Sequence, residues 1–157
     1  MFIFSLYHSM SFLSTHALFP AMQIMSSTYF IGYANGDSLR TKKLASPNWA
    51  LQSPTYSLLW KVGVCIGPAT NNQAEYVVVT WLLADVVRVG IHNLQVHLDS
   101  QLFVAQINGF YIFCKFILRH RYLQVHLLCR HFDTITFIHL PRYDNALVDH
   151  IANQFLH

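Results

Sequence analysis

A chain of 157 residues suits one domain and is short for two, so a single core should carry whatever function exists. With 54% apolar, 15% aromatic and 11% charged residues, disorder over most of its length is not expected. Ten Lys and Arg against seven Asp and Glu leave a formal charge of +3, which permits a phosphate-bearing partner without requiring one.

The cysteines, Cys65, Cys114 and Cys129, fall at no metal-finger spacing and read as buried apolar residues in a reducing compartment. Residues 1–27 are rich in Phe, Leu, Ile and Met, yet they lack a basic leading region and are broken by Ser9, Ser11, Ser14, His16 and Pro20. Neither a signal peptide nor a membrane span is expected there, and the stretch is read as lying outside a domain that runs over 28–157.

In chain order, Thr28 to Tyr33 predicts a short strand stopped by the turn chemistry of Ala34-Asn35-Gly36-Asp37. No clean period runs from Ser38 to Pro54, which reads as an irregular connection. Leu58 to Ile66 alternates with period two and predicts a strand ending at Gly67-Pro68. Thr70-Asn71-Asn72-Gln73 has the form of a capping box, so a helix should start there and end near Gly90. Leu94, Val96 and Leu98 predict a strand that delivers Asp99 at its end. A short helix over Ser100–Ile107, a longer one from about Lys115 to Phe132, a strand over Thr134–Leu140 and a last helix over Asn145–Phe155 complete the pattern.

The seven acidic residues are few enough for each position to carry information, and Glu75, Asp99 and Asp149 stand at element ends. If their strands and helices are neighbours, the three carboxylates converge, and such a cluster needs divalent metal to offset its repulsion. Mg²⁺, or Mn²⁺ in its place, is the hard-oxygen choice. Ordinary solvent-facing acids are the other reading of the same spacing.

Ala69-Thr70-Asn71-Asn72-Gln73-Ala74-Glu75-Tyr76 resembles the A-T-N-N-x-A-E-Y signature of reverse-transcriptase-like RNase H type-1 domains, notably those of plant retroelements. Three more blocks follow in the family's order. Gly90-Ile91 with Leu94 to Leu102 is similar to G-I-x-x-L-x-V-x-x-D-S-Q-L, and Gln106-Ile107-Asn108-Gly109 to Q-x-N-G. His139 to Asn145 with Val148-Asp149 and Ala152-Asn153 is similar to H-x-P-R-x-x-N-x-x-A-D-x-L-A-N.

The resemblance implies an α/β fold of three layers, a mixed central sheet flanked by helices, acting on RNA–DNA hybrid by two-metal phosphodiester hydrolysis. It makes Glu75, Asp99 and Asp149 the catalytic, metal-ligating carboxylates. Asn71, Asn72, Gln101 and Asn145 become contacts to the nucleic acid. His139, on a strand, is read as structural. Lys115, Arg119, His126 and Arg130, with Arg121 and His120 nearby, form a stripe that suits either a phosphate-contacting or a solvated face. A monomer without membrane association is expected.

One departure bears on activity. The family opens on a strand Y-F-D-G-A-S whose Asp bridges both metals, and Tyr29-Phe30-Ile31-Gly32 aligns Ile31 with that Asp. An isoleucine offers no lone pair to a cation, and Asp37 lies six residues on, roughly 20 Å along an extended strand. Impaired activity is therefore expected, with a catalytically dead nucleic-acid-binding module or a non-functional retroelement relic as open alternatives.

Overall fold

The computed structural model describes residues 28–36, 38–39, 44–110 and 116–141. The elements in chain order are β1 (Phe30–Asn35), β2 (Ser38–Leu39), β3 (Leu44–Ala45), β4 (Asn48–Gln52), β5 (Leu58–Gly63), α1 (Asn71–Arg88), β6 (Asn93–Leu98), α2 (Gln101–Ile107), α3 (Phe116–Cys129) and β7 (Thr134–His139). The helix expected over Asn145–Phe155 lies outside the described residues.

The main sheet has the order β5-β4-β1-β6-β7. β1, β4 and β5 form an antiparallel meander, whereas β6 runs parallel to both β1 and β7. β2 and β3 make a small sheet of their own. This is the expected mixed sheet flanked by helices: α1 packs on β1 and β4, α2 on β7, and α3 on α1.

β4 is the element that has no signature in the sequence, where Ser38–Pro54 shows no clean period. Asn48-Trp49-Ala50-Leu51 is buried without alternation, because the strand sits between two others and under a helix. Period two marks a strand with one wet face, and this strand has none to show. Trp49 Nε1 donates to Asp85 Oδ2 at 3.0 Å, which ties β4 to the outer turns of α1.

α1 begins as its capping box requires. Gln73 N–H donates to Thr70 Oγ1 at 3.2 Å, and Thr70 N–H donates to Gln73 Oε1 at 3.1 Å. Val78, Val79, Leu82, Leu83 and Val86 then form one wall of the core against Leu51, Leu94, Val96 and Leu98. Tyr76 donates its buried hydroxyl to Gln106 Oε1 at 3.0 Å and stacks at a tilt on Phe103, which joins α1 to α2. Gly90 takes φ +77, the left-handed conformation that lets the chain leave the helix for β6.

Two expectations are corrected. β5 ends at Gly63 rather than at Ile66, so Cys65 falls beyond the pairing and is exposed rather than buried. Cys129 is half-buried with its thiol pushed up to about 11 by burial, and Cys114 lies outside the described residues. Among the described residues no helix is long and apolar enough to cross a membrane.

The sheet face away from α1 is polar at its centre. Tyr33 pairs with His97 across β1 and β6, their rings edge to face at 5.3 Å. Tyr33 donates to Gln52 Oε1 at 3.1 Å, and His97 Nε2 lies 2.8 Å from Gln95 Oε1. Burial holds the His97 imidazole below its ordinary value, so the unfolded chain binds this proton more readily than the folded one. Stability should therefore fall as pH drops below about 6.5 and be independent of this group above that value. Urea unfolding across pH 5–8 should show that slope flattened in His97→Gln, and an unchanged slope would assign it to another histidine.

Candidate active site

The two parallel strands at the centre end side by side. β1 pairs with β6 through Ala34↔Leu98, so one step further brings Asn35 beside Asp99 on strands about 4.8 Å apart. The start of α1 leans over these ends. A cleft of about 370 Å³ results, lined by Asn35, Gly36, Asn71, Asn72, Glu75, Asp99, Ser100 and Leu102.

Glu75 reaches the cleft from the second turn of α1 and is 5% exposed. Its Oε1 accepts from the Gly36 N–H at 3.0 Å, a buried bond that crosses from helix to strand end. Only glycine fits there. A Cβ at Gly36 would stand 2.3 Å from Glu75 N, 2.5 Å from Ala74 C and 2.6 Å from Glu75 Cα. These are backbone atoms of α1, so no side-chain rotation relieves the overlap.

Asn71 and Asn72 are the first two residues of α1, and their backbone N–H groups belong to the helix terminus that attracts anions. Asn72 Oδ1 is shielded from solvent and accepts no hydrogen bond among the described residues. Ser100 caps α2, its Oγ accepting from Phe103 N–H at 3.2 Å, and so fixes the turn just after Asp99.

Four of the residues singled out in the sequence, Glu75, Asp99, Asn71 and Asn72, therefore line one cleft. Gln101 is exposed on the first turn of α2 and is not part of the wall, which is formed by its neighbours Ser100 and Leu102. Asp149 and Asn145 lie outside the described residues. His139 is exposed at the end of β7, opposite Leu98. Of the basic stripe, Arg119 and Arg130 are exposed, His126 is half-buried against Tyr122 with ring centres 4.2 Å apart, and Lys115 lies outside the described residues.

The placement of Ile31 is overturned. Ile31 pairs with Gln52 and Gln95, near the other end of β1, and is 7% exposed in the core. It stands four residues, about 13 Å, from the cleft. The strand runs two residues further than expected because Ala34 and Asn35 pair with Trp49 and Asn48 of the unforeseen β4. The residue at the cleft is Asn35, followed by Gly36, a pair read in the sequence only as turn chemistry.

The donor set suits a hard cation in part. Glu75 and Asp99 supply anionic oxygen, and Asn35 and Asn72 are amides with one acceptor oxygen each. Among the described residues no group of three or more His, Cys, Asp or Glu is gathered as metal ligands. The described residues thus fit one cation that keeps several waters.

Comparison with known proteins bears on the same region. The profile of a family described as reverse transcriptase-like matches residues 37–155. A ribonuclease HI of Halobacterium salinarum is 32% identical over 124 residues, covering 79% of this chain and 62% of that protein. A bifunctional protein of Mycobacterium tuberculosis is 36% identical over 88 residues, 56% of this chain and 24% of that protein. This chain thus spans less than two thirds of the length of either relative. Among solved structures, the RNase H1 of the halophilic archaeon Halobacterium salinarum superposes with a TM-score of 0.76 at 30% identity over 82% of this chain and 97% of that one. An RNase H1 in complex with RNA/DNA hybrid has a TM-score of 0.73 at 25% identity over 80% of this chain and 94% of that one.

The contact between Gly36 and α1 is testable through stability. Gly36→Ala should lower unfolding free energy by at least about 3 kcal/mol, because helix and strand must separate. Gly67→Ala, at φ +79 with open space around its Cβ position, should cost only about 1–2 kcal/mol of backbone strain. Equal losses in urea titrations would remove the close approach as the cause.

Proposed function

The chain belongs to the reverse transcriptase-like family with the RNase H fold, and from that premise we propose that it hydrolyses phosphodiester bonds in the RNA strand of RNA–DNA hybrid. The observation that carries this is the convergence of Glu75 and Asp99, from a helix and a strand end, on one cleft that also holds Asn71 and Asn72. Hybrid bound to a related RNase H1 supports the substrate class.

In this reading Glu75 and Asp99, with Asp149, hold divalent cation, Mg²⁺ or Mn²⁺. When bound, such cations supply a nucleophilic water and stabilise the departing 3′ oxygen. The protein's own part is orientation. The Gly36 N–H fixes one oxygen of Glu75 and leaves the carboxylate a defined direction into the cleft. Asn71 and Asn72 offer short amides that both donate and accept, suited to 2′-hydroxyl groups that distinguish RNA from DNA. Gln101 and Asn145 extend the contact along the strand.

A second reading, binding of hybrid without cleavage, is favoured by the neutral Asn35 at the cleft. One experiment separates the two. With purified chain, a labelled RNA–DNA duplex and Mg²⁺ or Mn²⁺, Glu75→Gln and Asp99→Asn should each lower cleavage at least about a hundredfold, roughly 3 kcal/mol, while hybrid binding persists. Hybrid bound but never cut by the unaltered chain would leave the binding module. Cleavage indifferent to both substitutions would falsify the site.

A further inference from the structure

Asn35 is the last residue of β1 and 3% exposed. Sheet register puts it beside Asp99, and the peptide that follows it is hydrogen-bonded through the Gly36 N–H to Glu75 Oε1. It therefore shares the cleft with both carboxylates, next to Asp99 by the continuation of the register and joined to Glu75 through its own next residue.

The chemistry of an amide at that place has a direct consequence. Its oxygen can ligate a cation, but it brings a dipole where a carboxylate would bring a charge, and its NH₂ group presents protons that a cation repels. Cation affinity in an oxygen site rises with the number of charged ligands and with rigidity. Rigidity is provided here by the packed strand end, so charge is what is short.

We propose that Asn35 is the position that limits cation binding in this cleft, and that an acid in its place is the one change the site needs to hold divalent metal tightly. This rests on the hydrolytic reading of the cleft. It takes the place of Ile31 as the position at which the expected impairment of activity would arise. A carboxylate at position 35 would face Asp99 and Glu75 at short range, so without metal the like charges destabilise the fold, and with metal the same charges stabilise it.

The test uses the full chain, Mn²⁺ as the probe, and the variants Asn35→Asp, Asn35→Ala and Ile31→Asp. Calorimetry should show Asn35→Asp binding Mn²⁺ at least tenfold tighter than the unaltered chain, with Asn35→Ala no tighter than it. Thermal midpoints should cross: Asn35→Asp melts below the unaltered chain in chelator and gains more from saturating Mn²⁺. Ile31→Asp should only lower the midpoint, in both buffers, because it buries a charge in the core. Unchanged Mn²⁺ affinity in Asn35→Asp overturns the proposal, as does failure of that variant to fold even with Mn²⁺, since the position would then not accept a carboxylate. Hybrid cleavage is not a readout here. Failure of the function appears as indifference of cleavage to Glu75→Gln, whereas failure of this inference appears as Mn²⁺ affinity indifferent to residue 35.

Discussion

Everything at the cleft depends on the contact between the end of β1 and the second turn of α1. Gly36 touches the helix backbone, with no room for a Cβ, and gives its N–H to the buried carboxylate of Glu75. A carboxylate out of water needs such a donor, because the cost of leaving it unsatisfied exceeds what an ordinary hydrogen bond contributes. The same bond sets the height of α1 over the sheet. It thereby fixes where Asn71 and Asn72 stand relative to Asp99.

The sheet supplies the second coordinate. Because β1 and β6 run parallel and adjacent, their C-terminal ends finish together, and the residues that leave those ends face one another. Crevices beyond the carboxyl ends of parallel strands are where open α/β sheets place ligands, for this geometric reason. β4 on the other side of β1 holds the strand straight as far as Asn35. A shorter β1 would let Asn35 and Gly36 turn away and would release Glu75 from its donor.

Ile31 and Asn35 show how one missing strand misplaces a site. Tyr29-Phe30-Ile31-Gly32 matches an aromatic-rich strand followed by glycine, and with no visible partner for Ala34 and Asn35 the residues alone place the strand end at Tyr33. Both glycines then have a reason to be there. Gly32 lets Leu82 pack against β1, where a Cβ would lie 2.8 Å from Leu82 Cδ2, and Gly36 lets the α1 backbone approach. Sequence spacing cannot tell a glycine that admits a side chain from one that admits a helix. Only the second is at the cleft.

The local elements are legible in the order of residues alone: the capping box that starts α1, the alternation of β6 that leads to Asp99, the seam of α3 and the family blocks from Ala69 onward. Each rests on contacts within one turn or one strand, so a short window contains its cause. Long-range packing settles that Asn48–Gln52 is an interior strand, that Cys65 is exposed, that Gln101 stands outside the cleft wall and that Asn35 rather than Ile31 lines the cleft with Asp99. Those outcomes depend on strand register and on which faces are covered, and both are set by partners dozens of residues away.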